Sequence, residues 1–224
     1  MKHSLSALGY LIWKDLLLEF RSKEFIVSVL IFSLLTIIIF SQSINLTTMN
    51  PNEIGPAILW VSIAFSASIG IPKIYSKEKE ENTLESLLIT PISRDLIFFS
   101  KLISIFILLI ITEIIIFSLS IILFNIQLLN PIIILISLIT TFGYSTVGAL
   151  FGAMMIRTRS SEFLLPILFL PIIIPLLIFA IGSTEIALQL NDWGKCLPWI
   201  GLGITYNLIF FPISIFFFEK VIID

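Results

Sequence analysis

One cysteine and one histidine are all the thiol and imidazole chemistry in this 224-residue chain. A lone cysteine, Cys196, cannot close an internal disulfide and reads as a plain thiol near a membrane interface. The lone histidine, His3, lies in the leader with no Cys/His cluster around it, so no metal or haem site is expected there. No G-x-x-x-x-G-K-[ST] phosphate loop occurs, which excludes that cradle for ATP. No nucleophile–base pair stands out, so no catalytic residue is expected, and nucleic acid is not among the expected partners. Charge is also scarce, 12% of residues against roughly 25% in soluble domains. That excludes a soluble fold of this size.

What is present is hydrocarbon: 58% hydrophobic residues and a mean hydropathy of +1.10. A helix needs about 20 apolar residues to cross a bilayer. Six runs qualify: Phe25–Ile44, Ala57–Tyr75, Leu96–Phe124, Ile132–Met155, Phe163–Ile181 and Leu197–Phe218. In lipid every backbone polar group must be satisfied internally, and long unbroken Ile/Leu/Phe runs favour helices over the alternating strands of a barrel. The expectation is one all-α integral membrane domain, residues 1–224, with six transmembrane helices. The first apolar run begins after 24 residues, too late and too long for a cleavable signal.

The thirteen Lys and Arg residues are one-sided. Lys2, Lys14, Arg21, Lys23, Lys73, Lys77, Lys79, Arg94, Lys101, Arg157, Arg159 and Lys220 fall on one side of the six spans, and Lys195 on the other. The positive-inside rule then predicts both termini in the cytoplasm. Within the leader, residues 1–24, positions 7–24 read as an interfacial helix. Tyr10, Trp13, Leu16, Leu17 and Phe20 share one arc, while Lys14, Asp15, Glu19, Arg21 and Lys23 spread round the other, interrupted by Leu11 and Leu18.

Turn and breaker residues predict an outer loop from Gln42 to Gly55, with Pro56 in the first turn of the second span. Asn125 to Pro131 reads as a second outer loop. Ser183–Gly194 has room for a short outer helix before Trp193 and Trp199, which suit an interfacial aromatic belt. In span four, Gly148-x-x-x-Gly152 permits close approach of another helix, most simply inside the bundle. In span five, Pro166, Pro171 and Pro175 predict bending or local unwinding, which marks either a moving or substrate-lining element or inert curvature. Glu113, twelve residues after Lys101, falls near mid-membrane. A charge there costs on the order of 2.5–3.5 kcal/mol. It reads either as a polar contact in a substrate or proton path, or as a packing group bonded to a hydroxyl of Thr140, Thr141, Ser145 or Thr146.

Between spans two and three runs a charged stretch, residues 77–91. Leu84, Leu87 and Leu88 follow i, i+3, i+4 spacing and make one apolar stripe, flanked by Glu78, Glu80, Glu81 and Glu85. Thr83 suits the helix start and Pro91 its end. Such an amphipathic helix either rests on lipid or docks in a soluble partner's groove.

Thr83-Leu84-Glu85-Ser86-Leu87-Leu88-Ile89-Thr90-Pro91 resembles the T-L-E-x-L-L-x-x-P element of ABC-2-type permeases, with Asn82 where those proteins commonly have glycine. Lys14 to Arg21, Pro56-Ala57-Ile58-Leu59-Trp60-Val61, and the Leu165 to Phe179 run narrow the likeness to the CcmB family. The resemblance covers nearly the whole chain. It implies a permease subunit for haem export or delivery in c-type cytochrome biogenesis. It also implies a separate CcmA-like ATP-binding subunit contacting Glu80, Glu81, Thr83, Leu84, Glu85, Leu87 and Leu88. CcmC- and CcmD-like membrane subunits, a CcmE-like haem chaperone and a bacterial inner membrane, rather than a mitochondrial one, complete what it implies. Haem would be cargo and ATP would bind the partner; this chain alone would hold no cofactor. It has no outer-face histidine and no tryptophan-rich outer segment, which speaks against its ligating haem itself. The rival readings are an ABC-2 permease for a lipid, glycan or drug, and an ion-coupled carrier using Glu113.

Overall fold

The computed structural model describes residues 2–46, 50–80, 92–157 and 161–223, with side chains described for 6–42, 50–76, 92–155 and 167–221. Among the described residues there are seven helices and no strand: α1 (Lys2–Ser22), α2 (Glu24–Leu46), α3 (Pro51–Glu80), α4 (Arg94–Phe124), α5 (Pro131–Arg157), α6 (Ser161–Leu190) and α7 (Trp193–Ile223). The last six are each long and apolar enough to cross a membrane, as the six hydrophobic runs require. This is a multi-pass membrane protein.

α3 and α5 form the centre. In each, 72% of the most apolar stretch is buried, against 22% for the peripheral α2 and α7. α2 packs on α3; α3 packs on α6 and α5; α5 packs on α4, α6 and α7; and α1 lies mainly along α4. Glycines set the close approaches. A Cβ on Gly148 would meet Ile71 Cδ1 at 2.6 Å, and one on Gly70 would meet Phe25 Cδ2 at 2.9 Å. The Gly148-x-x-x-Gly152 pair therefore serves packing within the bundle, against α3. Buried hydroxyls are consumed locally: Ser33, Ser62, Ser66, Thr112 and Thr140 each donate to the carbonyl four residues back.

Helix ends follow the local chemistry. Asn125 and Asn191 take left-handed backbone at φ 53° and φ 48°, a geometry that Asn tolerates. Asn130 Oδ1 accepts from Ile132 N at 3.0 Å, capping α5. Its Nδ2 donates to Asn191 Oδ1 at 2.7 Å, tying the α4–α5 and α6–α7 loops together at one end of the bundle. At the other end Arg94 Nη1 lies 3.6 Å from Glu219 Oε1, so the start of α4 and the end of α7 meet.

Two expectations are corrected here. The first turn of α3 holds Pro51, not Pro56, because Asn50 caps it, its Oδ1 accepting from Asn52 N at 3.0 Å; Pro56 lies inside the helix. No separate outer helix spans 183–194. α6 continues to Leu190 because Ser183, Thr184 and Ala187 are buried against the bundle, and the chain turns only at Asn191.

Candidate functional site

The helix that reads as an interfacial leader turns its carboxylates inward. Leu11, Asp15 and Glu19, spaced i, i+4, i+8, are buried, while Tyr10, Trp13, Leu17 and Phe20 are exposed. Of the expected apolar arc, Leu16 packs against the core and the other four side chains are exposed. Of the charged arc, Arg21 and Lys23 are exposed, but the two carboxylates are buried, each with a partner from another element. Glu19 Oε1 accepts from Phe25 N at 2.8 Å and Ile26 N at 3.1 Å, capping the first turn of α2 where the helix dipole favours a negative group. The chain reaches that cap through Lys23, which takes φ 59° at the elbow.

Asp15 Oδ2 accepts from Lys101 Nζ at 2.9 Å, with both side chains about 2–3% exposed. Lys14 Nζ lies 3.1 Å from the other oxygen, Asp15 Oδ1. Lys101 Nζ also stands 5.7 Å from the centroid of the Tyr75 ring, within cation–π range. Tyr75 Oη in turn donates to Ala149 O at 3.1 Å, and its ring lies over Gly152. Four helices, α1, α3, α4 and α5, converge on this one cluster. Sequence reasoning placed Lys101 among the loop charges and missed the pair. The available signal was its depth: seven residues into α4 is about 10 Å along the helix, where a lysine needs a partner.

Tyr75 stands five residues before Glu80, where α3 ends. The ionic cluster is therefore at the root of the segment singled out for partner contact. The backbone of residues 77–80 continues α3, while residues 81–91, with Glu81, Thr83, Leu84, Glu85, Leu87 and Leu88, and the side chain of Glu80 lie outside the described residues.

Glu113 is buried between α4 and α5. Ser137 Oγ donates to its Oε2 and Thr141 Oγ1 to its Oε1, each at 2.5 Å. Of the hydroxyls expected from sequence, Thr141 is a partner; Thr140 and Thr146 bond their own helix carbonyls, and so does Ser145. Glu113 and Ser137 also line a mostly apolar cavity of about 350 Å³, with Ile110, Phe117, Leu128 and Ile134 among its walls. Both carboxyl oxygens accept hydrogen bonds from within the chain. A glutamine has the same shape and can accept from one hydroxyl while donating to the other. Glu113→Gln is therefore expected to accumulate normally and to melt within a few degrees of the parent in detergent. Loss of function in a fully folded Glu113→Gln protein would instead mean that the charge is used.

Pro171 and Pro175 lie on the exposed face of α6, away from the buried row of Phe169, Ile173 and Leu176. α6 is helical through both, so there is no local unwinding there. A stronger polar contact went unforeseen: Trp60 Nε1 donates to Thr184 Oγ1 at 2.9 Å, joining α3 to α6 in the core. Among the described residues no group of three His, Cys, Asp or Glu is placed to hold a metal.

Comparison with known proteins adds two findings. The profile of the family described as "CcmB protein" matches residues 6–210. The chain is also similar to heme exporter protein B of Haemophilus influenzae, 24% identical over 206 residues, which cover 92% of this chain and 93% of that protein.

Proposed function

The chain belongs to the CcmB protein family, and from that premise we propose that it is the membrane permease subunit of a haem-exporting complex serving c-type cytochrome assembly. The observation carrying this reading is the extent of the match: residues 6–210 take in the leader, the first five spans and most of the sixth. The name of the Haemophilus influenzae relative, similar over nearly its whole length, supports haem as the cargo.

ATP is hydrolysed in a separate CcmA-like subunit, since this chain has no phosphate loop. That subunit engages Glu80, Glu81, Thr83, Leu84, Glu85, Leu87 and Leu88. The iron is ligated by CcmC-, CcmD- or CcmE-like partners rather than by this subunit, whose only histidine is in the leader. The role of this chain is mechanical: ATP turnover flexes the bundle and frees haem-loaded chaperone at the outer face of a bacterial inner membrane. The tight α3–α5 core, with glycine-backed contacts at Ile71 and Tyr75, suits a body that transmits force.

Deleting the gene in its own host is expected to abolish covalent-haem staining of c-type cytochromes, with recovery on re-expression. Normal staining would remove haem from the account and leave a permease of other cargo. Leu84→Asp places a charge in the apolar stripe. It is expected to cut co-purification of the ATP-binding subunit by about tenfold or more, as losing a central apolar anchor does, while the subunit stays in the membrane. Undiminished co-purification would reject the docking role of this segment.

A further inference from the structure

We propose that Asp15 and Lys101, with Tyr75 beside them, are positioning residues that make the leader helix and the end of α3 move as one body. This rests on the reading that residues 77–91 receive the ATP-binding subunit, and deepens it by naming how force leaves that segment.

The argument begins with how α1 is attached. Much of its apolar surface points away from the bundle: Tyr10, Trp13, Leu17 and Phe20 are exposed. What it turns inward is the row Leu11, Asp15, Glu19. The two carboxylates, one helical turn apart, hold two different elements: Asp15 the Lys101 ammonium on α4, and Glu19 the first backbone N–H groups of α2. α1 is thereby a strut bridging α4 and α2.

The second part concerns what Lys101 rests on. Its ammonium lies against Tyr75, in the last apolar turns of α3. Tyr75 has no room to yield, because its ring fills the space over Gly152 and its hydroxyl is bonded to the Ala149 carbonyl on α5. A push on the chain beyond Glu80 therefore reaches Tyr75, then Lys101, then Asp15 and the leader. Among the described residues, the titratable groups facing Lys101 from the packed elements include Asp15 on α1, with Lys14 on its other oxygen, and Tyr75 on α3. A buried ion pair is no better than an apolar pair at merely holding helices together. What it adds is a fixed direction and separation, which positioning requires.

The test uses the intact complex purified with its ATP-binding subunit. It compares Asp15→Asn, Asp15→Glu, Lys101→Met and the double variant Asp15→Leu/Lys101→Met, with Leu84→Asp as reference. Expected for Asp15→Asn and Lys101→Met are unchanged co-purification of the ATP-binding subunit, unchanged KM for ATP, and a kcat lower by about tenfold. Asp15→Glu should recover most of that kcat. The double variant removes both charges of the pair together and should accumulate better than either single variant, yet stay low in kcat. It carries the test if either single variant fails to accumulate. Parental kcat in Asp15→Asn, or full recovery of kcat in the apolar double variant, would show that the pair only holds helices and would overturn the proposal. If Leu84→Asp releases the ATP-binding subunit in the same experiment, the docking reading stands whatever Asp15 shows. If it does not, that reading fails first, and this inference with it.

Discussion

Replacing Gly152 with valine is expected to abolish accumulation of folded subunit. A Cβ at this position would lie within 2.6 Å of Tyr75 Cζ and closer still to two other ring carbons. Relief would require Tyr75 to move, but the ring is fully buried and its hydroxyl is fixed to Ala149 O on the very helix that carries Gly152. Ordinary overpacking costs about 1–3 kcal/mol. Here the neighbour is a rigid ring in the centre of the bundle, so valine should exceed that range, and alanine should already fall within it. Gly9 is the control: nothing lies within 4 Å of a Cβ built there. Gly9→Ala should be neutral or stabilising by up to about 1 kcal/mol, the helix-propensity difference. Thermal unfolding in detergent, with membrane abundance alongside, checks both. Parental stability in Gly152→Val would mean that α3 and α5 are not packed as described.

Trp60→Ala is the second large effect, an expected loss of about 3–5 kcal/mol. The indole is fully buried where three helices meet: on α3 itself, edge-on to Phe117 of α4 with centroids 6.1 Å apart, and bonded through Nε1 to Thr184 of α6. Truncation removes the filling, the aromatic contact and the hydrogen bond together, leaving a cavity that the surrounding helices close only in part. Trp60→Phe keeps most of the volume and should cost about 1 kcal/mol, the worth of one intramolecular hydrogen bond. A phenylalanine variant as unstable as the alanine one would assign the effect to the Thr184 bond rather than to packing.

The Trp60 case shows how much was legible in advance. The Pro56 to Val61 stretch was recognisable as the start of a span and as part of a family pattern. Nothing in a run of apolar letters tells which side of the helix faces Thr184, 124 positions away. Glu113 was legible as an intramembrane carboxyl needing a donor, and Thr141 was among the donors named. Ser137, one turn earlier on the same helix, was not, because the register between two helices is a packing outcome. The prolines of span five left bending and local unwinding both open, and only the structure excludes the unwinding. A missing N–H removes one bond from the ladder, but the rest of the ladder holds α6 helical through Pro171 and Pro175.

What the sequence by itself determined is the class and layout of this protein. Six apolar runs of spanning length, separated by Asn, Pro and charged residues, admit only a helical membrane bundle, because lipid satisfies no backbone group. Family membership was legible for the same reason that motifs are, as local strings of residues. What only the tertiary structure decided is which face of each helix turns inward. The leader reads as an apolar arc against a charged arc, and hydropathy alone would point the charges toward water. Instead Asp15 and Glu19 are buried, because Lys101 and the N-terminus of α2 supply countercharge and donors there. Burial of a charge depends on what stands opposite it, and that is a property of the assembled bundle.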